Sequence, residues 1–347
     1  MAITFTNHVD ELLKSFIDDM QPSNVLVLAD DNTARQVLPR LPSLATATAI
    51  VIPAGDCHKT IDTTCQVWQQ MEAAGATRNS IMVCLGGGVV TDLGGFAAST
   101  FKRGIPFINV PTTLLAAVDA AAGGKTGINY SGLKNEIGLF SHARQVVVST
   151  IFFDTLPQQE VLSGYAEMIK HALLTSREDF FELTELEPAT VDWCEMLPLV
   201  ETSVNIKNRI VAADPHEHGL RRTLNLGHTA GHAIESLALQ RGTPVTHGHA
   251  VACGLVAEAV LSHMVFKFPT DLLNRLAAFV RDHYGPVRFT CNDYPALLQF
   301  MHHDKKSRSG EINCTLLRLC GDAVIDNVVS DDDMSTALDI YRDLMGI

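Results

Sequence analysis

Three histidines stand close together in the second half of the sequence. His228 and His232 are four residues apart in LNLGHTAGHAIE, and His247 follows in PVTHGHAVA. Two residues at this spacing on a helix lie on one face, a single turn apart. Two imidazoles from a helix and a third from a nearby loop can hold Zn²⁺ with one coordination position left for a substrate. The pattern favours a catalytic metal site, although such pairs also arise by chance on polar helix faces.

A glycine-rich turn, residues 86–92 (GGGVVTD), follows one predicted strand and opens a predicted helix. Glycines there let the backbone approach a pyrophosphate, and the first N–H groups of a helix complement its charge. The spacing departs from G-x-G-x-x-G, so tight strand-to-helix packing is the alternative. Asp30, at the end of the first predicted strand, is a candidate for a ribose hydroxyl or, alternatively, for a helix cap.

A second glycine-rich segment, GGKTGIN at 123–129, resembles a Walker phosphate loop only in part. Asp119 stands where the loop requires its first glycine, which disfavours ATP. Lys125 still favours an anion, and Arg103 and Lys134-Asn135 lie nearby in the sequence. Each of these charges taken alone is more typical of a solvated surface.

The segment SGYAEMIKH at 163–171 places Glu167 and Lys170 three residues apart on one helical face. This pair would supply a hard oxygen ligand beside a cation, with Ser163 as a helix cap. The alternative is a surface ion pair worth about 1 kcal/mol or less.

The composition is that of a globular enzyme. The chain has 347 residues, 46% of them hydrophobic, with a net charge of −13. That charge argues against nucleic-acid and anionic-membrane partners, and the eight scattered cysteines fit reduced thiols. The N-terminus lacks a basic region followed by a long apolar run, so we expect a cytoplasmic protein.

Strand-length apolar runs alternate with helical spacing in the first half. Strands are predicted at 24–30, 48–54, 80–86, 106–111 and 145–150, and helices at 60–74 and 89–102. This order predicts a mostly parallel sheet, with a ligand site at the carboxyl ends of its strands. Longer helical segments follow, at 158–175, 195–212, 228–240, 248–266, 270–284, 294–303 and 332–345. We therefore predict a Rossmann-like α/β nucleotide-binding domain at 1–155 and a mostly α-helical metal- and substrate-binding domain at 156–347.

The runs GGGVVTDLGGF, RG, PTTLL, GGKTGIN, LKNEIG, SGYAEMIKH, GLRRTLNLGHTAGHAIE, HGHAVA and HDKK occur in this order. Together they resemble the 3-dehydroquinate synthase family over roughly residues 25–320. The resemblance implies a homodimeric lyase that requires NAD and zinc, with Co²⁺ able to occupy the same ligands. It also implies conversion of 3-deoxy-D-arabino-heptulosonate 7-phosphate to 3-dehydroquinate and phosphate, in the shikimate pathway. Oxidation at C5, loss of phosphate, re-reduction, ring opening and an aldol closure would follow one another.

The resemblance also implies roles for individual residues. The zinc ligands would be Glu167, His228 and His247, which removes His232 from the metal and makes it a proton-transfer or hydrogen-bonding group on the substrate side. The implied NAD contacts are Asp30, Asn32, Lys59, Gly87, Gly88, Val89, Asp92, Thr112, Thr113, Leu115, Lys125, Lys134, Thr155, Leu156 and Glu160. The implied catalytic and substrate contacts are Arg103, Asp119, Lys125, Lys134, Asn135, Lys170, Lys207, Arg221, Asn225, His232, Lys305 and Lys306. Such a set of lysines and arginines suits a substrate with a carboxylate and a phosphate.

Several positions depart from the family pattern. They are Asp56, Thr91, Ala120, Ala121, Leu133 and His249. His249 matters most, because it puts a second imidazole two residues from His247; the side chains should diverge at a helix start, which favours His247 as the ligand.

Two other functions remain open at this point. One is a sister sugar phosphate cyclase that makes a different carbocycle, against which the chain keeps Lys125, Asn129, Lys134-Asn135 and Arg221. The other is a metal-dependent polyol dehydrogenase, which would release NADH and would not need lysines that bind phosphate.

Overall fold

The chain forms two compact units. The structure, a computed structural model, describes residues 2–121, 123–131, 133–303 and 310–347. The first unit is Met1–Pro157 with Asp192–Val204, and the second is Gln158–Val191 with Asn205–Ile347.

A six-stranded parallel sheet is the centre of the first unit. Its strands are β1 (Ala2–Phe5), β2 (Val25–Asp30), β3 (Thr48–Ile52), β4 (Ile81–Gly86), β5 (Phe107–Pro111) and β8 (Gln145–Val148). Their order is β1-β8-β5-β4-β2-β3. Five of these six match the predicted strands. Four of the five, β2, β4, β5 and β8, are buried inside the sheet and have continuous apolar sequences, whereas β3 is a partly exposed edge strand.

Helices cover this sheet. They are α1 (Val9–Met20), α2 (Asp31–Gln36), α3 (Ile61–Ala73) and α4 (Gly88–Thr100). One apolar cluster packs Leu13 of α1 against Val27, Val83 and Ile108 of the sheet, all fully buried. Gly94 of α4 allows close packing, since a Cβ there would lie 2.5 Å from the Cys84 sulfur of β4.

An antiparallel hairpin, which the sequence did not predict, lies beside α4. Its strands are β6 (Lys125–Tyr130) and β7 (Leu133–Phe140), and every residue of β7 is exposed. Gly127 and Gly138 are paired, and a Cβ on Gly127 would meet the Ile137 carbonyl oxygen at 2.7 Å.

The second unit is mostly helical. Its elements are α5 (Gln158–Leu173), α6 (Arg177–Glu185), part of α7 (Leu197–Ala213), α8 (His228–Gln240), α9 (His247–Phe266), α10 (Thr270–His283), α11 (Tyr294–His302), the hairpin β9 (Ile312–Leu319) and β10 (Asp322–Val329), and α12 (Asp331–Met345). The predicted helices of this region all occur, and α6 and the hairpin are additions. The fold class is therefore a Rossmann-like α/β unit followed by a mostly α-helical one.

The long helix α9 is the core of the second unit. The helix has 20 residues, and an 18-residue window within it has a mean hydropathy of 1.5, as expected of a membrane span. However, 72% of that window is buried inside the protein. Core helices of globular proteins share this composition.

Candidate active site

The carboxyl ends of the central strands carry most of the predicted nucleotide residues. Asp30 ends β2, Gly87 follows β4, and Thr112 and Thr113 follow β5. The chain leaves β2 towards β3 on one side, and β4 lies on the other, so a topological switch point falls between β2 and β4. Nucleotides bind at such switch points in open parallel sheets.

The glycine-rich turn forms the predicted strand-to-helix junction. Gly87 is the N-cap of α4, and no side-chain hydrogen bond caps it. A Cβ on Gly87 would lie 3.1 Å from the Thr113 side chain. The first N–H groups of α4 lie at the carboxyl end of β4. Gly87 and Gly88 place no side chain there, which suits an anion site.

Asp30 caps a helix. Its Oδ1 accepts hydrogen bonds from the Thr33 backbone N–H at 2.8 Å and from the Thr33 hydroxyl at 3.0 Å. The cap fixes the Asp30 carboxylate at the carboxyl end of β2. Asp30 can therefore cap the helix and also lie where a ribose contact is expected. Asn32, on the same helix, accepts a bond from Arg35 at 3.2 Å.

A polar network ties Lys59 to two other predicted residues. The Lys59 ammonium lies 2.5 Å from the Asp92 carboxylate and 2.5 Å from the Asn135 side-chain oxygen. Lys59 is 4% exposed. The Asn135 backbone donates to the Asn129 side chain, which itself donates to Asp56. Through Lys59, the network connects the turn end of the β6–β7 hairpin to helix α4, which follows the glycine-rich turn.

Two further predicted anion-binding residues, Lys125 and Arg103, belong to this unit. Lys125 pairs with Phe140 at the open end of the hairpin, while Lys134 is at its turn end; five residues of strand separate these ends by about 17 Å. Arg103 is exposed and precedes the amino end of β5, whereas Thr112 follows its carboxyl end. Lys125 is therefore at the opposite end of the hairpin from Lys134, and Arg103 is at the opposite end of β5 from Thr112.

The second unit brings Glu167, His228 and His247 together. Glu167 Oε1 lies 3.5 Å from His228 Nε2 and 3.7 Å from His247 Nε2. The ligand atoms of all three residues are within 4.8 Å of one another. Glu167 is in the middle of α5, and His228 and His247 are the first residues of α8 and α9.

Close helix packing produces this convergence. A Cβ on Gly248 would lie 2.0 Å from the Ser163 carbonyl oxygen, so only glycine allows α9 to start this close to α5. Ser163 lies inside α5, and its hydroxyl accepts from the Gly248 N–H at 3.1 Å. The prediction that Ser163 caps its own helix is wrong, because the helix begins at Gln158. His247 was also expected in a loop, but it follows the N-cap Thr246 as the first residue of α9.

Lys170 neutralises the buried carboxylate. Its ammonium contacts Glu167 Oε2, and both side chains are at most 2% exposed. Burial alone would raise the pKa of Glu167, but Lys170 and the two histidines outweigh it and hold that pKa well below its usual range. The carboxylate is therefore an anion at all physiological pH values.

A hydrogen bond orients the His228 imidazole, and contacts with two carboxylates orient that of His247. His228 Nδ1 lies 3.0 Å from the Leu226 carbonyl oxygen, so it donates there, and Nε2 faces Glu167. His247 Nδ1 lies 3.6 Å from Glu235 Oε2, with Nε2 again towards Glu167. Burial opposes protonation of His247, yet Glu167 and Glu235 together raise its pKa to about 9.

His232 and Glu235 extend the cluster. The ring of His232 lies 5.4 Å from that of His228 and 5.9 Å from that of His247. His232, Glu235 and His247 form another group whose ligand atoms lie within 4.8 Å. Sequence reasoning missed Glu235, although it follows His232 by three residues and so lies on the same helix face.

His249 turns away from this cluster. Its Nε2 lies 3.0 Å from the Gly285 carbonyl oxygen, and its ring is 5.8 Å from that of Tyr284. Burial lowers its pKa. The two neighbouring imidazoles therefore diverge, as expected at a helix start.

The geometry of the first trio suits a zinc ion. Zn²⁺ takes nitrogen and oxygen ligands at about 2.0–2.2 Å, which in a tetrahedron places ligand atoms roughly 3.4 Å apart. The separations of 3.5 and 3.7 Å from Glu167 are close to that value. One carboxylate and two imidazoles leave the fourth position open, as catalytic zinc sites do.

The other predicted residues take the following places. Lys207 and Arg221 are 6% and 4% exposed in the second unit, and Arg221 donates to the Pro215 carbonyl oxygen at 2.8 Å. Asn225 ends the 3₁₀ turn that precedes α8. Glu160 is on α5, Val89 is on α4, Leu115 and Asp119 lie in or beside the π-turn Ala116–Ala120, and Thr155 and Leu156 end a 3₁₀ turn. Lys305 and Lys306 lie outside the described residues.

Comparison with known proteins gives consistent matches. The family model described as 3-dehydroquinate synthase N-terminal matches residues 49–163, and the one described as 3-dehydroquinate synthase C-terminal matches residues 164–307. A 3-dehydroquinate synthase from Parabacteroides distasonis is 44% identical over 338 residues, which cover 96% of each chain.

Two solved structures share the fold. One is 2-deoxy-scyllo-inosose synthase complexed with carbaglucose-6-phosphate, NAD⁺ and Co²⁺, with 24% identity, a TM-score of 0.85 and coverage of 97% of this chain and 95% of the other. The second is 2-epi-5-epi-valiolone synthase from Streptomyces hygroscopicus subsp. jinggangensis 5008, with NAD⁺ and Zn²⁺ bound. It has 26% identity, a TM-score of 0.81 and coverage of 99% and 96%.

Proposed function

From the premise that this chain belongs to the 3-dehydroquinate synthase family, we propose how its residues perform that reaction. The substrate is 3-deoxy-D-arabino-heptulosonate 7-phosphate, and the products are 3-dehydroquinate and phosphate. The enzyme is a carbon–oxygen lyase, because the net change is loss of phosphate with ring closure and the cofactor is regenerated. The convergence of Glu167, His228 and His247 carries the proposal.

We assign zinc to Glu167, His228 and His247, and NAD to the switch point between β2 and β4. The NAD⁺ and the Zn²⁺ or Co²⁺ of the two solved cyclases support this assignment. Zinc supplies Lewis-acid polarisation of a substrate hydroxyl, and NAD accepts and returns a hydride. Gly87, Gly88 and the start of α4 bind the pyrophosphate, with Asp30 at the ribose.

Basic side chains bind the two anionic groups of the substrate. Lys170, Lys207 and Arg221 are buried cations of the second unit. Their electrostatic attraction to an anion is stronger at a buried position than it would be in water. His232 stands beside both histidine ligands and is the proton-transfer group of this set. Arg103, Asp119, Lys125, Lys134, Asn135, Asn225, Lys305 and Lys306 complete the proposed substrate contacts.

The proposed assembly is a cytoplasmic homodimer. Several large apolar side chains of the hairpin are exposed, with Phe140 at 63% and Leu133 at 52%. Exposed apolar side chains concentrated on one element favour an interaction site there. We place the contact between copies at the β6–β7 hairpin.

Phosphate release from the heptulosonate phosphate tests the function. We expect release that depends on NAD, stops with a chelator and returns with added Zn²⁺ or Co²⁺. Two outcomes would contradict the proposal: release that persists in the fully metal-free protein, or release only from a sugar phosphate that lacks the carboxylate. The second would indicate a sister cyclase.

A further inference from the structure

Two helices begin with the histidine ligands, and each carries one acidic residue. His228 opens α8, which holds Glu235, and His247 opens α9, which holds Glu258. Each carboxylate contacts the beginning of the other helix.

Glu258 caps the start of α8. Its Oε2 accepts from the Gly227 N–H at 2.7 Å, and its Oε1 accepts from the N–H groups of Thr229 and Ala230 at 3.0 and 3.2 Å. Glu258 is fully buried. A buried carboxylate is stable only when well paired, and the positive end of a helix offers such pairing. These three bonds fix the backbone on both sides of His228.

Glu235 fixes the other histidine. Its Oε2 lies 3.6 Å from His247 Nδ1, on the opposite side of the ring from Glu167. A carboxylate at the outer nitrogen of a histidine ligand sets the tautomer and ring orientation and increases its basicity.

We propose that Glu235 and Glu258 are reciprocal positioning residues, which hold His228 and His247 at ligand separation before the ion binds. The inference rests on the proposed zinc site and adds to it two residues outside the ligand set. Preorganisation of this kind lowers the cost of metal binding, because the unloaded side chains already have the required geometry.

Zinc affinity of the purified full-length protein tests the pair. Glu235→Gln and Glu258→Gln remove one charge each with little change in shape. We expect each to retain one zinc at saturation but to weaken zinc binding by about 10- to 100-fold, measured by competition with a chelator. Asp293→Asn is the matched control, since Asp293 also accepts a backbone N–H, from Thr290 at 2.7 Å, and its zinc affinity should stay within about twofold of the unaltered protein.

The visible spectrum of the Co²⁺-loaded protein separates positioning from general stability. We expect altered ligand-field bands in both carboxylate variants at saturating Co²⁺ and an unaltered spectrum in Asp293→Asn. Affinity within about twofold of the unaltered protein, with an unchanged spectrum, would overturn the inference. Complete loss of bound metal in Glu235→Gln would also overturn it, because Glu235 would then be a ligand.

The unfolding midpoint of each metal-free variant shows whether it folds. If Glu258→Gln does not fold, Glu235→Gln decides the outcome, since the Glu235 side chain is 19% exposed and tolerates the change. His228→Ala distinguishes the two levels of the argument. If it keeps full zinc affinity, the proposed metal site is wrong; if it loses zinc while both carboxylate variants behave normally, only the positioning roles are wrong.

Discussion

At the scale of single residues, the site depends on a carboxylate that is charged and almost completely buried. Glu167 is 1% exposed, and Lys170 accounts for much of its charge balance. Removing one partner of such a pair leaves an uncompensated buried charge and costs about 3–5 kcal/mol. Substitution of a histidine ligand is therefore the cleaner test of metal binding.

His228→Ala should remove both bound metal and turnover, because it deletes one of the three proposed zinc ligands. Metal analysis of the dialysed protein and a phosphate-release assay measure the two effects. His249→Ala is the control, since its imidazole faces Gly285 and should leave stoichiometric zinc in place. Zinc retained by His228→Ala would show that His228 is not a ligand, and zinc lost from His249→Ala would favour His249 over His247 as a ligand.

Lys125→Met should lower turnover by about 10²-fold or more while NAD affinity changes little, since the proposed main role of this lysine is to bind an anionic group of the substrate. Nicotinamide fluorescence titration and phosphate release report the two quantities. Lys102→Met, another exposed lysine of the same unit, serves as control. An unchanged release rate in Lys125→Met would contradict the substrate role.

At the scale of elements, the sequence predicts those helices, strands and turns that have a distinctive pattern among neighbouring residues. The strand VLVLAD and the turn GGGVV are recognisable because burial on both faces and a strand-to-helix junction each leave a local signature. The strand KTGINY mixes charged, small and polar residues, and its partner β7 is exposed throughout. No period of two identifies that hairpin, so its pairing could not be predicted.

The site was predictable to a similar extent. Histidine spacing indicated a metal, but the choice of Glu167 over His232 came from family resemblance, because a ligand some 60 residues away leaves no spacing signal. Glu258 was missed for the same reason. Its carboxylate accepts hydrogen bonds at the start of α8, about 30 residues earlier in the chain. Only the packing of α9 against α8 brings these groups together.

Gly254→Ala should disturb the site through the helix contact. A Cβ at this position would lie 2.0 Å from the Gly227 carbonyl oxygen, immediately before His228. Overpacking of this kind costs about 1–3 kcal/mol, so we expect a lower unfolding midpoint and weaker zinc binding together. Gly219→Ala, where a Cβ meets nothing within 4 Å, should change neither. Normal zinc affinity in Gly254→Ala would show that the backbone relaxes without moving His228.

At the scale of the whole molecule, the proposed dimer gives the exposed hairpin a partner. Phe140→Asp places a charge on the most exposed large apolar side chain of that hairpin. We expect sedimentation velocity to show a shift from dimer to monomer at micromolar concentration. Val328→Asp, at an exposed apolar position of β10, should remain dimeric. A dimeric Phe140→Asp variant would place the contact between copies elsewhere.

The cofactor balance distinguishes the proposed reaction from that of a dehydrogenase. The proposed synthase takes a hydride from its substrate and gives it back within one turnover, so NADH should not accumulate while phosphate is released. A metal-dependent polyol dehydrogenase would release NADH for each alcohol oxidised. We therefore expect phosphate release from the heptulosonate phosphate to exceed net reduced-nicotinamide absorbance by at least about 100-fold, and we expect no absorbance change with glycerol and NAD⁺. Equal amounts of NADH and oxidised substrate would mean that the hydride leaves the site with the cofactor, and the proposed synthase reaction would then be wrong.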